Sequence, residues 1–200
     1  MLVVACNTAS SVALPALRRQ LSVPVLGVIE AGAEAVTKGS AVIIGVIGTA
    51  GTIGSGAYPS EIARRAPHCQ VVQQAAPLFV PLAEEGWTEG EVPILVARRY
   101  LQPLVDQGIE VLLLGCTHYP VLHDPIGAAL HELHSSAQIV HSAAVMAADV
   151  ARTLKEKDLA REAGLGSLRC LVTDRPNGFE DMSKRFLGER LTEVELVDII

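Results

Sequence analysis

Short apolar runs rich in Val, Ile and Leu alternate along this chain with longer stretches of helical periodicity, and that alternation constrains the fold more than any other feature. The runs are Met1–Ala5, Val23–Val28, Ala41–Ile47, Gln70–Gln73, Glu110–Leu114, Ala137–Val140, Leu168–Thr173 and Glu193–Val197. They read as nearly continuous hydrophobics rather than as an in/out alternation. Such strands are covered on both faces, as in a parallel sheet with crossover helices. Helices are expected between them: Glu89–Asp106 with Gly108 as its C-terminal stop, Ala143–Glu156, and Phe179–Leu187. Pro15 and Pro59 fall inside helical patterns, so those helices should start late or kink. The class is therefore α/β.

With 200 residues, 50% of them hydrophobic, the chain can bury a substantial core as one domain or two small lobes. A net charge of −6 argues against nucleic acid as the main partner, because phosphate binding needs clustered Lys and Arg. No apolar run reaches the roughly 18 residues of a membrane span, and the apolar start lacks the basic lead-in of a signal peptide. A cytoplasmic protein with no membrane association is the expectation. Cys6, Cys69, Cys116 and Cys170 are scattered without a C-x-x-C pair, which fits neither a disulfide framework nor a zinc site. The first residue already lies in a buried-type strand. That suggests either a chain starting downstream of an earlier segment or a genuinely short first strand.

Two segments resemble each other. Leu2-Val-Val-Ala-Cys6-Asn7-Thr8-Ala9 and Leu112-Leu-Leu-Gly-Cys116-Thr117-His118-Tyr119 each run from apolar strand to cysteine to small polar residues to a helical pattern. In open α/β sheets ligands bind at such strand-to-helix junctions. There, free N–H groups and the helix dipole favour an anion and can lower a thiol's pKa from about 8.5. Two such cysteines suit inversion of a carbon centre, where one face gives up a proton and the other receives one. A single cysteine at a strand end reads first as a small buried hydrophobe, and Cys69 and Cys170 are left in that role. A phosphatase-type C-x-x-x-x-x-R is excluded, since Val12 and Leu122 occupy the arginine positions. The Gly45–Gly56 stretch lacks both G-x-G-x-x-G and a Gly-Lys-Ser/Thr ending, so a nucleotide is not expected. Thr8 and Thr117 could cap helices, His118 could bond backbone, and Glu84 beside Glu85 could be a solvated acidic patch.

At these residues the sequence resembles the glutamate racemases. The motifs are Val4-Ala5-Cys6-Asn7-Thr8-Ala9, Gly45-x-x-Gly48-Thr49-x-x-Thr52, Phe79-Val80-Pro81-Leu82-x-Glu84 and Gly115-Cys116-Thr117-His118-Tyr119-Pro120. Aspartate racemases commonly carry Thr-Glu where this chain has Thr117-His118, which favours glutamate. The resemblance implies Cys6 and Cys116 as the proton-transfer pair, with His118 and Glu84 assisting Cys116. It implies Asn7, Thr8, Thr49, Thr52 and Thr117 as substrate contacts. It also implies no metal, pyridoxal phosphate or other cofactor, a homodimer, and supply of D-glutamate for peptidoglycan. Two similar lobes would hold glutamate between them: a discontinuous, incomplete first lobe of 1–27 and 139–200, and a second of 28–138. The family's D-S-G-x-G-G and P-Y-G motifs are absent, and His141 stands where an Asp is usual. An inactive remnant serving as an interaction module, or a racemase of another acidic amino acid such as aspartate, are the alternatives.

Overall fold

The apolar runs fold as strands that pair in parallel. The computed structural model describes residues 1–161, 164, 166–174, 176–188, 191 and 194–198, which fall into two units, 1–159 and 160–200. In the first unit β1 (Leu2–Val4) pairs with β2 (Val25–Gly27). A four-stranded sheet is built from β3 (Ile43–Gly48), β4 (Gln70–Ala75), β5 (Val111–Gly115) and β6 (Gln138–His141), in the order β4-β3-β5-β6. This sheet carries residues from both sides of the expected lobe boundary at 138/139.

Helices alternate with these strands: α1 (Asn7–Gln20), α2 (Val28–Thr37), α3 (Ala50–Gly54), α4 (Ala57–Arg65), α5 (Phe79–Glu85), α6 (Glu91–Val105), α7 (His123–Glu132) and α8 (Ala143–Glu156). A short 3-10 helix, Tyr119–Leu122, precedes α7. The pleat divides the strand side chains between two cores. Ile44, Val46, Val111 and Leu113 pack with Ile29, Ala33 and Val36 of α2 and Tyr58 and Ile62 of α4. Ile47, Leu112 and Leu114 pack on the other face with Phe79, Leu101, Leu104, Tyr119 and Ile126. Both faces are covered, which is why these strands need no polar alternation. Truncating a fully buried strand residue such as Leu113 to Ala should cost about 2–5 kcal/mol.

Local chemistry sets the helix ends. Gly90, at φ 83°, turns the chain immediately before α6, so that helix starts later than the Glu89 expected from periodicity. Gly108, at φ 72°, lies beyond the Asp106 cap, and its N–H bonds to the Val105 carbonyl. Pro59 is in the first turn of α4, where its missing N–H has no intrahelical partner to lose. Pro15 does not delay α1, contrary to the periodicity reading. The helix runs from Asn7 through it to Gln20, with Pro15 on its exposed side, because capping at Cys6 starts the helix well before the proline.

In the second unit β7 (Cys170–Val172) and β8 (Val194–Leu196) pair in parallel, with α9 (Pro176–Leu187) between them in sequence. Glu193, expected to open the last strand, lies outside the described residues. Among the described residues no helix is long and apolar enough to cross a membrane.

Candidate active site

Strand order locates the site. From β3 the chain goes to one side of the sheet for β4, and β5 with β6 lie on the other. The order therefore reverses between β3 and β5, and ligands gather in the crevice at the carboxyl ends of strands flanking such a reversal. Gly48 and Gly115 are register partners there, so Thr49 and Cys116, one residue further on, leave adjacent strand ends. Glycine is required at position 115. A Cβ on it would stand 2.8 Å from the Ile47 carbonyl oxygen and 3.0 Å from Tyr58 Cε2. The close approach of β5 to β3 thus fixes where Cys116 begins.

Cys6 arrives from β1 as the N-cap of α1, a 14-residue helix, and its Sγ accepts the Ala9 N–H at 3.5 Å. A cysteine in a serine-like capping position keeps its sulfur at the positive end of the helix. Because Cys6 is the cap, Thr8 is not. Its hydroxyl instead meets Thr49 at 2.8 Å and Thr52 at 3.0 Å, while Thr49 and Thr52 lie 3.1 Å apart. Thr49 caps α3 through the Thr52 N–H. This hydroxyl triangle joins the Cys6 segment to the end of β3. Gly51 permits it, since a Cβ there would lie 3.0 Å from Thr8 Cγ2.

On the other side, Cys116 Sγ is 3.8 Å from His118 Nδ1, and His118 Nε2 is 3.2 Å from Glu84 Oε1. An ionised carboxylate can only accept, so Glu84 puts the imidazole proton on Nε2 and leaves the Nδ1 lone pair toward the thiol. Thr117 Oγ1 is 3.4 Å from the same Nδ1. What brings Glu84 to His118 is aromatic packing. Phe79, at the start of α5, meets Tyr119 edge to face at 5.1 Å, and the Tyr119 hydroxyl donates to the Ala76 carbonyl at 2.8 Å. One turn and a half of helix from Phe79 then carries Glu84 to the imidazole. The acidic-patch reading of Glu84 and the capping reading of Thr8 give way to these contacts.

The two thiols are not equivalent. Cys6 is exposed, whereas Cys116 is buried. Burial pushes the Cys116 thiol above its ordinary range, and the nearby Cys6 sulfur and Glu84 carboxylate push the same way. The His118 and Tyr119 backbone N–H groups pull it down without prevailing. At Cys116 desolvation thus outweighs the lowering that the N–H groups of a strand-to-helix junction can supply. A cavity of about 320 Å³ is lined by Ala5, Asn7, Cys116, Thr117, His141 and Met146, among others.

Two contributors carry no sequence signal as site residues. Tyr58, in α4, donates to Asn7 Oδ1 at 2.5 Å. Ser10 donates to the Val4 carbonyl and accepts the Val28 N–H, tying the Cys6 segment to the start of α2. Cys69 donates to the Ala41 carbonyl, away from these groups. Among the described residues no group of three or more His, Cys, Asp or Glu side chains is arranged to hold a metal ion.

Comparison with known proteins bears on these residues. The family model for Asp/Glu/Hydantoin racemase matches residues 1–150, three quarters of the chain. The chain belongs to that family. Family membership thus covers both cysteine segments and the threonine and His118–Glu84 groups. Among its relatives, the glutamate racemase of Geobacter metallireducens is 49% identical over 203 residues, covering 100% of this chain and 73% of the relative. That of Thermus thermophilus is 43% identical, covering 99% and 72%. The crystal structure of glutamate racemase from Francisella tularensis in complex with D-glutamate superposes with a TM-score of 0.90 at 31% identity, covering 98% of this chain and 72% of that one. The α/β fold with parallel sheets flanked by helices is shared with these racemases.

Proposed function

We propose that this protein interconverts L- and D-glutamate by proton transfer between two cysteines, without a cofactor. The observation that carries this reading is the pair of cysteines at the carboxyl ends of parallel strands, one at a helix N-terminus and one linked to a His118–Glu84 pair. Glutamate as substrate is supported by the racemase relatives and by the D-glutamate complex of the Francisella enzyme.

In this mechanism the thiolate of one cysteine removes the Cα proton, leaving a carbanion stabilised by the adjacent carboxylate. The thiol of the other then delivers its proton to the opposite face. The cysteines end with their protonation states exchanged, and the reverse reaction uses them in the opposite order. His118 Nδ1 takes and returns the Cys116 proton, and Glu84 holds the imidazole in the tautomer that allows this. Thr8, Thr49, Thr52 and Thr117 hydroxyls and the Asn7 amide bind the substrate's carboxylates and ammonium. The substrate lies between the lobe that begins with β1 and the lobe of 28–138. We further place the protein in the cytoplasm as a homodimer supplying D-glutamate for peptidoglycan.

Cys6→Ser and Cys116→Ser test the assignment. Each should abolish racemisation, measured by polarimetry with L- and D-glutamate, while circular dichroism stays unchanged. Near-normal turnover by either variant would overturn it. Aspartate, offered in the same assay, should be turned over far more slowly than glutamate.

A further inference from the structure

Tyr58 touches both cysteine segments. It is fully buried in α4, in the core between the sheet and α2. Its ring lies against Gly115, the residue before Cys116, where an added Cβ would come within 3.0 Å of Cε2. Its hydroxyl lies over Gly32 of α2, 2.7 Å from where a Cβ would be, and reaches Asn7, the residue after Cys6. A phenylalanine would satisfy the apolar packing equally well, so the hydroxyl has a separate purpose.

Donor and acceptor counting identifies that purpose. A buried phenol carries one proton, and leaving it unpaired costs more than leaving a lone pair unused. The Asn7 carboxamide is its one partner among the described residues, so Tyr58 donates and Asn7 must turn Oδ1 inward. Burial also pushes the phenol up, which keeps it a neutral donor. Asn7 is itself 3% exposed, and its Nδ2 has no partner among the described residues. Asn7 lines the cavity it shares with Cys116 and Thr117. With the oxygen held inward, the amide shows the cavity two N–H donors. Turned over, it would show an acceptor, which repels a carboxylate.

We infer that Tyr58 is a positioning residue that locks the Asn7 amide with its donors toward the cavity, selecting a carboxylate-bearing ligand there. This rests on the glutamate-racemising reading. Tyr58→Phe in the full chain should raise KM for both L- and D-glutamate by about tenfold, the size of one weakened hydrogen bond to a charged group, with kcat little changed. In an Asn7→Ala background the same substitution should add less than about twofold, because the amide it controls is gone. Independent, multiplying effects would overturn the inference, as would a Tyr58→Phe KM equal to wild type.

A readout without turnover separates this from the functional reading. The Asn7 side-chain amide resonances in a nitrogen-15 spectrum, assigned by their loss in Asn7→Ala, should shift and broaden in Tyr58→Phe. Unchanged resonances would overturn the inference even in an active enzyme. A wild-type chain that leaves glutamate unracemised would sink the functional reading, and the amide spectrum would still decide the role of Tyr58. Should Tyr58→Phe unfold, Asn7→Asp replaces it: its carboxylate still accepts from Tyr58 but offers the cavity no donor. Glutamate binding should then be lost with melting temperature retained, and wild-type affinity in that variant would refute the inference.

Discussion

Exchanging glycine for alanine at two positions should have opposite effects on stability. At Gly115 the added methyl carbon would stand 2.8 Å from the Ile47 carbonyl oxygen and 3.0 Å from the Tyr58 ring. Carbon and carbonyl oxygen normally meet at roughly 3.3 Å or more, so β5 must move away from β3 by about 0.5 Å. The opposing atom is backbone in a central strand and cannot swing aside, which places the cost in the range of overpacked cores, about 1–3 kcal/mol. For a chain of this length that is a melting temperature lower by about 2–12 °C. Gly127, inside α7, meets nothing closer than Ile139 Cδ1 at 3.8 Å. Alanine there removes the helix penalty of glycine, about 1 kcal/mol, and should raise the melting temperature by about 2–4 °C. The strand shift also moves Cys116, the next residue, so Gly115→Ala should lose roughly tenfold in kcat while Gly127→Ala keeps it. Thermal unfolding followed by circular dichroism, with racemisation assayed on the same samples, measures both. A Gly115→Ala variant that melts with the wild type would refute the claim that this contact fixes the position of Cys116.

The thiols and the imidazole are open to separate tests. Glu84→Gln exchanges an acceptor-only carboxylate for an amide that can also turn its N–H toward His118, so the imidazole tautomer is no longer fixed, and kcat should fall by about 10- to 100-fold with KM little moved; an unaffected kcat would detach Glu84 from the reaction. Iodoacetamide at neutral pH should label Cys6 before Cys116, as read by mass spectrometry, because Cys6 is exposed and Cys116 is buried with its thiol pushed up. Equal labelling would contradict that asymmetry. The raised Cys116 thiol also has a stability consequence. The folded state holds the proton more tightly than the unfolded chain, so this stabilisation is complete below about pH 8.5 and is lost as pH rises through the higher folded value. Cys116→Ser should flatten the alkaline fall in unfolding free energy measured by urea titration, and an unchanged slope would show that the thiol contributes nothing to it.

The sheet could be read from the sequence because its strands are covered on both faces. Continuous apolar runs such as Val111–Leu114 declare both strand and burial, and each of the eight runs overlaps a strand. Ends were less legible because backbone geometry set them: Gly90 and Gly108 punctuate α6 through positive φ, which hydropathy does not record. Pro15 does not delay the start of α1 because the Cys6 cap, two turns ahead of the proline, already nucleates the helix. For the site, the two cysteine segments declared themselves by repetition of strand, cysteine and small polar residues. Their environments did not. Whether a thiol is desolvated depends on what the fold packs over it, and only the fold shows Cys6 exposed at the start of a 14-residue helix and Cys116 buried before a 3-10 turn. Tyr58 was invisible for a simpler reason: its partner is 51 residues away, and an isolated tyrosine in a helix pattern reads as core.

The exchange of hydrogen at Cα tests two-thiol proton transfer most directly. With L-glutamate in deuterium oxide, followed by proton NMR and chiral chromatography, every molecule recovered as the D-enantiomer should carry deuterium at Cα, because the second thiol is loaded from solvent. D-glutamate that formed while retaining its original Cα hydrogen would contradict the account, since that proton would have crossed the stereocentre without leaving for a second group.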